Sequence, residues 1–236
     1  MPTLALIHLV RAENDLKHLC AFMTTYRALQ AGVNHELVLA CKGFKDYPPA
    51  ALAQAYAGLP VTVISLPDSG FDLGSYRRAC FQLRADFICV VNSFSRPMAA
   101  GWLGRIYEVA TRPGVGIAGA TGSLEIDPHI RTNGFCIRRD LYLDLVTGDP
   151  VTKAAACAVE ASTNSLTARI RARGLAARVV PREGPDLEVT DARDTATFRW
   201  GLQRNLLIAD NRTDEYLAAD ASYRAFLEER AWGARQ

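Results

Sequence analysis

The stretch Phe87-Ile88-Cys89-Val90-Val91, followed at once by the polar pair Asn92-Ser93, decides the fold of this chain. Five consecutive apolar residues predict a strand that is covered on both faces, because a strand wetted on one face would alternate apolar and polar side chains. Four other short runs have the same nearly continuous apolar character: residues 4–10, 36–40, 61–66 and 115–118.

Helical patterns separate these runs. Leu16, Leu19, Cys20, Met23 and Tyr26 form one apolar stripe at helical spacing. A second stripe consists of Trp102, Leu103, Ile106, Tyr107 and Ala110. The resulting β-α-β-α-β-α-β-α-β order, with right-handed crossovers, predicts an α/β fold: a doubly wound, mostly parallel sheet flanked by helices.

The composition is that of a globular enzyme-sized domain. The chain has 236 residues, of which 49% are hydrophobic and 22% charged, with a formal charge of +2. This charge balance argues against nucleic acid as a partner. The six cysteines form no C-x-x-C pair and are predicted to be reduced core residues. With no long apolar segment and no signal-peptide pattern, the expected location is the cytoplasm.

The pattern loosens after Ser123, where a smaller second layer is predicted. We expect one domain over residues 1–236, with residues 1–123 and 124–236 as its two halves. Apolar spacing predicts a helix over 162–173 and a strand over 177–180, and the charged, Gly- and Pro-containing stretch 182–197 predicts a mobile loop.

Ligands of open α/β sheets bind beyond the carboxyl ends of the strands. The residues in that position are Arg11, Lys42, the segment 68–72 and the segment 92–96. Each of them alone is equally a solvated loop residue, and the prediction of a site depends on their convergence at one edge of the sheet.

The segment from Asp68 to Ala79 combines two glycines with two arginines. Glycines let the backbone approach a ligand closely, and arginine binds phosphate, so a diphosphate cradle is one interpretation. The other is that Asp72 or Ser75 caps a helix while Arg77 and Arg78 lie on its solvated face.

Three stretches of the chain resemble the GT-A-type glycosyltransferases, in particular the inverting family 2 group and its bacterial rhamnan-type relatives. Residues 72–79 resemble that group's donor-binding helix, and residues 87–93 with Pro97 resemble the strand and loop that hold the sugar diphosphate. Residues 160–167, followed by Gly174, are similar to the acidic stretch and helix after the acceptor loop.

The resemblance implies a nucleotide-sugar donor, a glycan or other hydroxyl acceptor, and a role in bacterial surface polysaccharide synthesis. It makes Glu160 the general base that deprotonates the acceptor, although a carboxylate near the start of a helix over 162–173 would also be favourable without any catalytic role. The predicted donor-binding residues are Arg11, Asp68, Asp72, Gly74, Arg77, Arg78, Asn92 and Ser93.

The central loop departs from the family pattern. GT-A enzymes usually carry Asp-x-Asp there to bind a divalent cation, whereas this chain has Asn92-Ser93-Phe94-Ser95. The usual ligands for Mg²⁺ or Mn²⁺ are therefore missing, and no metal ligand is predicted. Arg77, Arg78 or Arg96 could neutralise a leaving diphosphate instead, and a catalytically impaired descendant is the alternative.

The sequence argues against a dinucleotide-binding enzyme, a hydrolase and a zinc protein. Residues 114–119 match G-x-G-x-x-G, but the glycines lie inside a predicted strand rather than between a strand and a helix, which argues against a dinucleotide site. The chain has no G-x-S-x-G motif, which argues against a hydrolase. Its histidines form no cluster, which argues against a zinc site. His8 is predicted to be a core residue, His18 and His35 surface residues, and His129 a solvated loop residue.

A non-catalytic nucleotide-sugar-binding or scaffolding protein on the same fold is the competing hypothesis. The tail from Phe198 to Trp232 is aromatic and arginine-rich. It could contact the inner face of the membrane or a partner protein, or it could pack on its own domain.

Overall fold

The computed structural model describes residues 3–45 and 50–234. Its strands are β1 Leu4–Arg11, β2 Glu36–Lys42, β3 Val61–Leu66, β4 Phe87–Val91, β5 Arg96–Pro97, β6 Val115–Gly119, β7 Gly122–Ser123, β8 His129–Ile130, β9 Gly134–Arg138, β10 Ala176–Val179, β11 Leu187–Glu188 and β12 Ile208–Ala209. Its helices are α1 Leu16–Ala28, α2 Ala50–Ala55, α3 Phe71–Cys80, α4 Trp102–Ala110, α5 Arg139–Leu145, α6 Lys153–Ala161, α7 Leu166–Arg171, α8 Asn211–Ala218 and α9 Ala221–Trp232.

Eight strands form the central sheet, in the order β11-β10-β6-β9-β4-β1-β2-β3. All five strands predicted from the apolar runs are present, and the β1 to β4 block is parallel throughout. The predicted mostly parallel α/β fold is confirmed. Two strands of this sheet were not predicted: β9, which lies antiparallel between β4 and β6, and the short edge strand β11.

Both faces of this sheet are covered. Along β1, Ile7 and Leu9 pack into the cluster on the side of α3, whereas Leu6 and Val10 pack into the cluster on the side of α1 and α4. Apolar burial on both sides explains why the strand sequences are continuous rather than alternating.

Within the range 162–173, where one helix is predicted, only α7 is helical, and the separate helix α6 ends just before this range. Helix α6 ends at Ala161, and Ser165 begins α7 by accepting a hydrogen bond from the backbone N–H of Ala168. Between them, Ser162 Oγ donates to the carbonyl oxygen of Ala158 at 2.6 Å and accepts from the N–H of Asn164. These local bonds compete with helix continuation. Glu160 therefore lies at the C-terminal end of α6, and the helix N-terminus interpretation of its charge was wrong.

The segment 182–197, predicted to be a mobile loop, contains β11 and two 3-10 turns, Val189–Asp191 and Arg193–Thr195. Val189 and Ala192 are fully buried in the core. Arg178 of β10 fixes the strand end through Asp186 at 2.7 Å and Glu188 at 2.6 Å. The segment is thus held by apolar contacts and ion pairs along its length.

Much of the C-terminal tail packs against the rest of the chain. Trp232 is buried and donates from Nε1 to the carbonyl oxygen of Phe198 at 2.8 Å, and Tyr216 is fully buried. Leu217, Tyr223 and Phe226 remain exposed. In the described ranges, no helix has both the length and the apolar character needed to span a bilayer.

Candidate functional site

The carboxyl ends of β1, β2 and β3 bring three charged side chains together. Arg11 Nη2 lies 3.6 Å from Asp68 Oδ1, and Lys42 Nζ lies 3.7 Å from the same oxygen. Lys42 also donates to the carbonyl oxygen of Phe71 at 3.1 Å. Burial lowers the pKa of Lys42, and the nearby charge of Arg11 lowers it further. Adjacent strands of one orientation place these residues at one edge of the sheet, as the sequence predicted.

A cleft of about 530 Å³ opens at this edge. Its cationic side chains are Arg11, Lys42 and Arg78, and its carboxylates are Asp68 and Asp149. The remaining lining residues are Ser69, Gly70, Phe71, Pro150 and Val151.

Arg77 and Arg78 lie in the last turn of α3 rather than at its opening. Arg78 reaches back toward the start of the helix, where it donates to Ser69 Oγ at 2.9 Å and to Asp149 Oδ2 at 2.5 Å. Arg77 lies over the ring of Phe81, 4.8 Å from the ring centroid. Arg78 is therefore the arginine that lines the cleft. Arg77 reaches the cleft only through Asp149 Oδ1, at 3.9 Å, and its role in binding the donor stays a prediction.

The start of α3 differs from both interpretations of the sequence. The N-cap is Gly70, with φ of 76°, so neither Asp72 nor Ser75 caps the helix. A Cβ on Gly74 would lie 2.9 Å from Asp149 Oδ1, and one on Gly70 would lie 3.2 Å from Asp149 Cβ. The space over both glycines is filled by Asp149, so Gly74 as a diphosphate contact stays a prediction without support from this geometry.

Asp72 lies in the first turn of α3, where burial raises the pKa of its carboxyl group. The charges of Lys42 and Arg11 oppose this increase, and the charge of Glu160 adds to it. Asp72 is therefore electrostatically linked both to the cleft and to the predicted base.

Asn92 and Ser93 follow β4 at the same edge. Asn92 Oδ1 accepts from the Phe94 N–H at 3.0 Å and from Ser95 Oγ at 2.9 Å, so this oxygen is committed to its own turn. Ser93 borders a narrow recess together with Arg11 and Asn14. Within the described part of the chain, Ser93 Oγ, Arg11 Nε and Asn14 Nδ2 are buried without hydrogen-bond partners. Buried polar atoms are normally paired, so three such atoms at one recess are unusual.

Glu160 is held by one residue of the turn before β9. The backbone N–H of Thr132 donates to Glu160 Oε1 at 3.0 Å, and Thr132 Oγ1 donates to the same oxygen at 2.9 Å. In the described ranges, the second carboxylate oxygen of Glu160 has no hydrogen bond. The carboxylate is thus fixed through one oxygen, while the other can accept a proton.

His129 corrects the prediction of a solvated loop residue, since only 4% of it is exposed. Its Nδ1 is 2.8 Å from the carbonyl oxygen of Asp127. Burial lowers the pKa of the His129 imidazole, whereas the charge of Glu160 acts in the opposite direction. His8 is fully buried, as predicted, with Nδ1 2.6 Å from the Tyr56 hydroxyl.

Arg96 is occupied elsewhere. It forms a bidentate ion pair with Asp214 of α8, at 2.8 and 2.6 Å. The hypothesis that Arg96 neutralises a diphosphate is therefore not supported by its position. Lys42 was predicted to lie at this edge of the sheet but was not among the predicted donor-binding residues. Asp149 was not predicted at all, and nothing in the sequence connects it with residues 68–78.

The resemblance seen in the sequence implies a divalent cation, but the side chains present do not fit one. The loop after β4 offers an amide and hydroxyls rather than carboxylates. Across residues 3–45 and 50–234, no group of three or more His, Cys, Asp or Glu side chains is arranged around a common point where a metal ion could bind.

The glycines of the G-x-G-x-x-G match have a packing role. A Cβ on Gly116 would lie 2.4 Å from Ile170 Cγ2, and a Cβ on Gly119 would lie 2.3 Å from Ile130 Cγ2. Both glycines are within β6, as the sequence argument against a dinucleotide site expected.

No protein-family model matches the chain, and no curated protein is significantly similar in sequence. Among solved structures, the fold is similar to that of the mannosyltransferase PcManGT from Pyrobaculum calidifontis in complex with GDP-Man and Mn²⁺. The TM-score is 0.59 at 15% identity, and the match covers 86% of this chain and 61% of the mannosyltransferase. The chain thus spans less than two thirds of that protein.

Two further structures are more distant. HddC from Yersinia pseudotuberculosis has a TM-score of 0.45 at 17% identity, covering 61% of this chain and 80% of HddC. Glucosyl-3-phosphoglycerate synthase from Mycobacterium tuberculosis has a TM-score of 0.44 at 11% identity, covering 59% of this chain and 57% of the synthase. At these identities the likeness concerns the fold alone, and the mannosyltransferase match shows that the chain has a GT-A-like α/β fold.

Proposed function

We propose that the chain is a glycosyltransferase that moves a sugar from a nucleoside diphosphate to a hydroxyl acceptor. The observation that carries this proposal is the joint position of Arg11, Lys42 and Arg78 in one cleft at the carboxyl edge of a GT-A-like sheet. Three cations against two carboxylates suit a diphosphate, which guanidinium and ammonium groups bind strongly.

The proposed reaction is a direct displacement with inversion. The acceptor hydroxyl oxygen forms a bond to the anomeric carbon while the bond from that carbon to the diphosphate oxygen breaks. The hydroxyl proton passes to the unpaired oxygen of Glu160, and the departing negative charge stays on the diphosphate. Thr132 supports this role because it holds the other carboxylate oxygen.

Side chains of the protein, rather than a metal ion, stabilise the negative charge on the leaving diphosphate in this proposal. Lys42, of which 3% is exposed, lies in a site where water screens its charge poorly. Together with Arg11 and Arg78 it would stabilise the leaving diphosphate as the bond breaks. We propose that transfer proceeds without a divalent cation and that the acceptor is a bacterial surface glycan, as the sequence resemblance implies.

The decisive experiment is a binding and turnover panel with GDP-, UDP- and dTDP-sugars, with and without EDTA. We expect one donor class to raise the melting temperature and to release nucleoside diphosphate at the same rate with chelator present. If no donor binds, the proposal is wrong. Binding without any release in the presence of hydroxyl acceptors would favour the non-catalytic nucleotide-sugar-binding protein, an alternative that the missing carboxylates after β4 support.

A further inference from the structure

Asp149 lies in the loop between α5 and α6 and occupies part of the cleft. Its Oδ2 is 2.5 Å from Arg78 Nη2, and Arg77 Nη1 is 3.9 Å from Oδ1. The carboxylate stands over the first turn of α3, against Gly70 and Gly74. It is thus an anion held by a guanidinium beside a helix N-terminus, the surroundings that also suit a phosphate group.

Asp149 is an imperfect occupant of this position. Its Oδ1 is buried, and the described residues provide no hydrogen-bond donor for it. A buried carboxylate oxygen without a donor is unfavourable relative to one in water. An anion that filled the cleft more completely would release Asp149 to solvent and remove this unfavourable contact.

Of the two residues that follow Asp149 in its loop, Pro150 is buried, whereas Val151 is 87% exposed. Release of the Asp149 side chain therefore need not uncover Val151. Thr152 then begins α6 by accepting from the Ala155 N–H at 3.1 Å. The same helix carries Glu160 near its other end.

We propose that Asp149 is an internal stand-in for the pyrophosphate of the donor, a proposal that rests on the proposed function. In the free chain its carboxylate occupies Arg78, and the incoming pyrophosphate displaces it. Binding is therefore weakened by competition with Asp149. Displacement also moves the segment that leads into α6, which couples donor arrival to the helix of the proposed base.

The test is calorimetric titration of the full chain with inorganic pyrophosphate, GDP and UDP, in EDTA. The variants are Asp149→Asn, which keeps the size of the side chain, and Asp149→Ala, which removes its carboxylate. The matched control is Asp144→Asn on α5, because Asp144 is 65% exposed and pairs with Arg173 outside the cleft. Thermal unfolding of each variant checks that it is folded.

We expect the dissociation constant for pyrophosphate or a nucleoside diphosphate to fall about tenfold in both Asp149 variants and to stay unchanged in Asp144→Asn. If the wild type binds and neither Asp149 variant binds more tightly, the stand-in role is wrong while the proposed function survives. An equal gain in Asp144→Asn would also overturn it, because the effect would then be one of net charge. If neither the wild type nor the variants bind any of the three probes, both the stand-in role and the proposed function are wrong.

Discussion

Thr132 donates two hydrogen bonds to a single oxygen of Glu160, one from its backbone and one from its hydroxyl. Thr132→Val removes only the second. Since a hydrogen bond to a charged group contributes about 1.5–3 kcal/mol, we expect turnover to fall at least about tenfold. Release of nucleoside diphosphate measures this effect.

The control for this prediction is Thr62→Val, which also removes a threonine bond to a carboxylate, that of Glu36, at the far end of the sheet. It should leave turnover unchanged. A Thr132→Val enzyme with wild-type turnover would show that Thr132 does not position a base.

Arg78→Ala should weaken binding of the nucleotide sugar about 10- to 100-fold, because a charge-assisted contact to phosphate is lost. Arg138→Ala is the matched control, since Arg138 is exposed and pairs with Asp140 outside the cleft. Calorimetric titration measures both. If the two variants bind the nucleotide sugar with equal affinity, Arg78 does not contact the donor.

The buried ion pair between Arg131 and Asp210 predicts a large stability effect. The two side chains meet at 2.8 Å, Asp210 is 1% exposed, and it also caps α8. Asp210→Ala should lower the free energy of unfolding by about 3–5 kcal/mol, because it leaves Arg131 unpaired in the interior. Asp220→Ala, which removes the cap of α9, should cost about 1 kcal/mol. Urea unfolding compares them, and equal losses would contradict the prediction.

His8 makes stability depend on acid pH. Burial lowers its pKa from 6.5 to about 3, so the folded chain keeps the ring neutral while the unfolded chain binds a proton below pH 6.5. The contribution of the neutral His8 ring to the free energy of unfolding is therefore complete above pH 6.5. It is lost as pH falls toward 3, at up to about 1.4 kcal/mol per pH unit. His8→Asn should lower the slope of the unfolding free energy against pH in this window, because the variant no longer takes up this proton on unfolding. Curves of equal slope for wild type and variant would refute this.

Gly119→Ala tests the packing role of the β6 glycines. The added methyl group would meet Ile130 at 2.3 Å, so we expect a loss of about 1–3 kcal/mol in unfolding free energy. Gly148→Ala has no atom within 4 Å of the new methyl group and should be near neutral. Thermal unfolding distinguishes them. A neutral Gly119→Ala would mean that Ile130 has room to move.

The five strands that are covered on both faces could be predicted from the sequence. Residues 87–91 and the four other apolar runs do not alternate between apolar and polar side chains. Strand β9 could not be predicted, since its antiparallel place between β4 and β6 is decided by pairing partners distant in the chain. The break between α6 and α7 depends on hydrogen bonds of Ser162 that compete with the helix.

Only part of the candidate site could be predicted from the sequence, because only some of its residues are placed by the order of the strands. Arg11 and Asp68 follow strands of one orientation, so their meeting follows from topology. The choice of Arg78 over Arg77 depends on how α3 is rotated against its neighbours. Thr132 and Asp149 come from loops whose paths no local pattern defines.

The place of β9 also dictates an order of assembly during synthesis. Strand β6 joins the sheet only through β9, although β6 leaves the ribosome first. A nascent chain that ends before β9 lacks the strand that pairs with β4 on one side and with β6 on the other, so this edge of β4 has no partner until β9 is made. An open strand edge of this kind recruits other chains, so translational pausing in this interval should favour aggregation more than pausing after it.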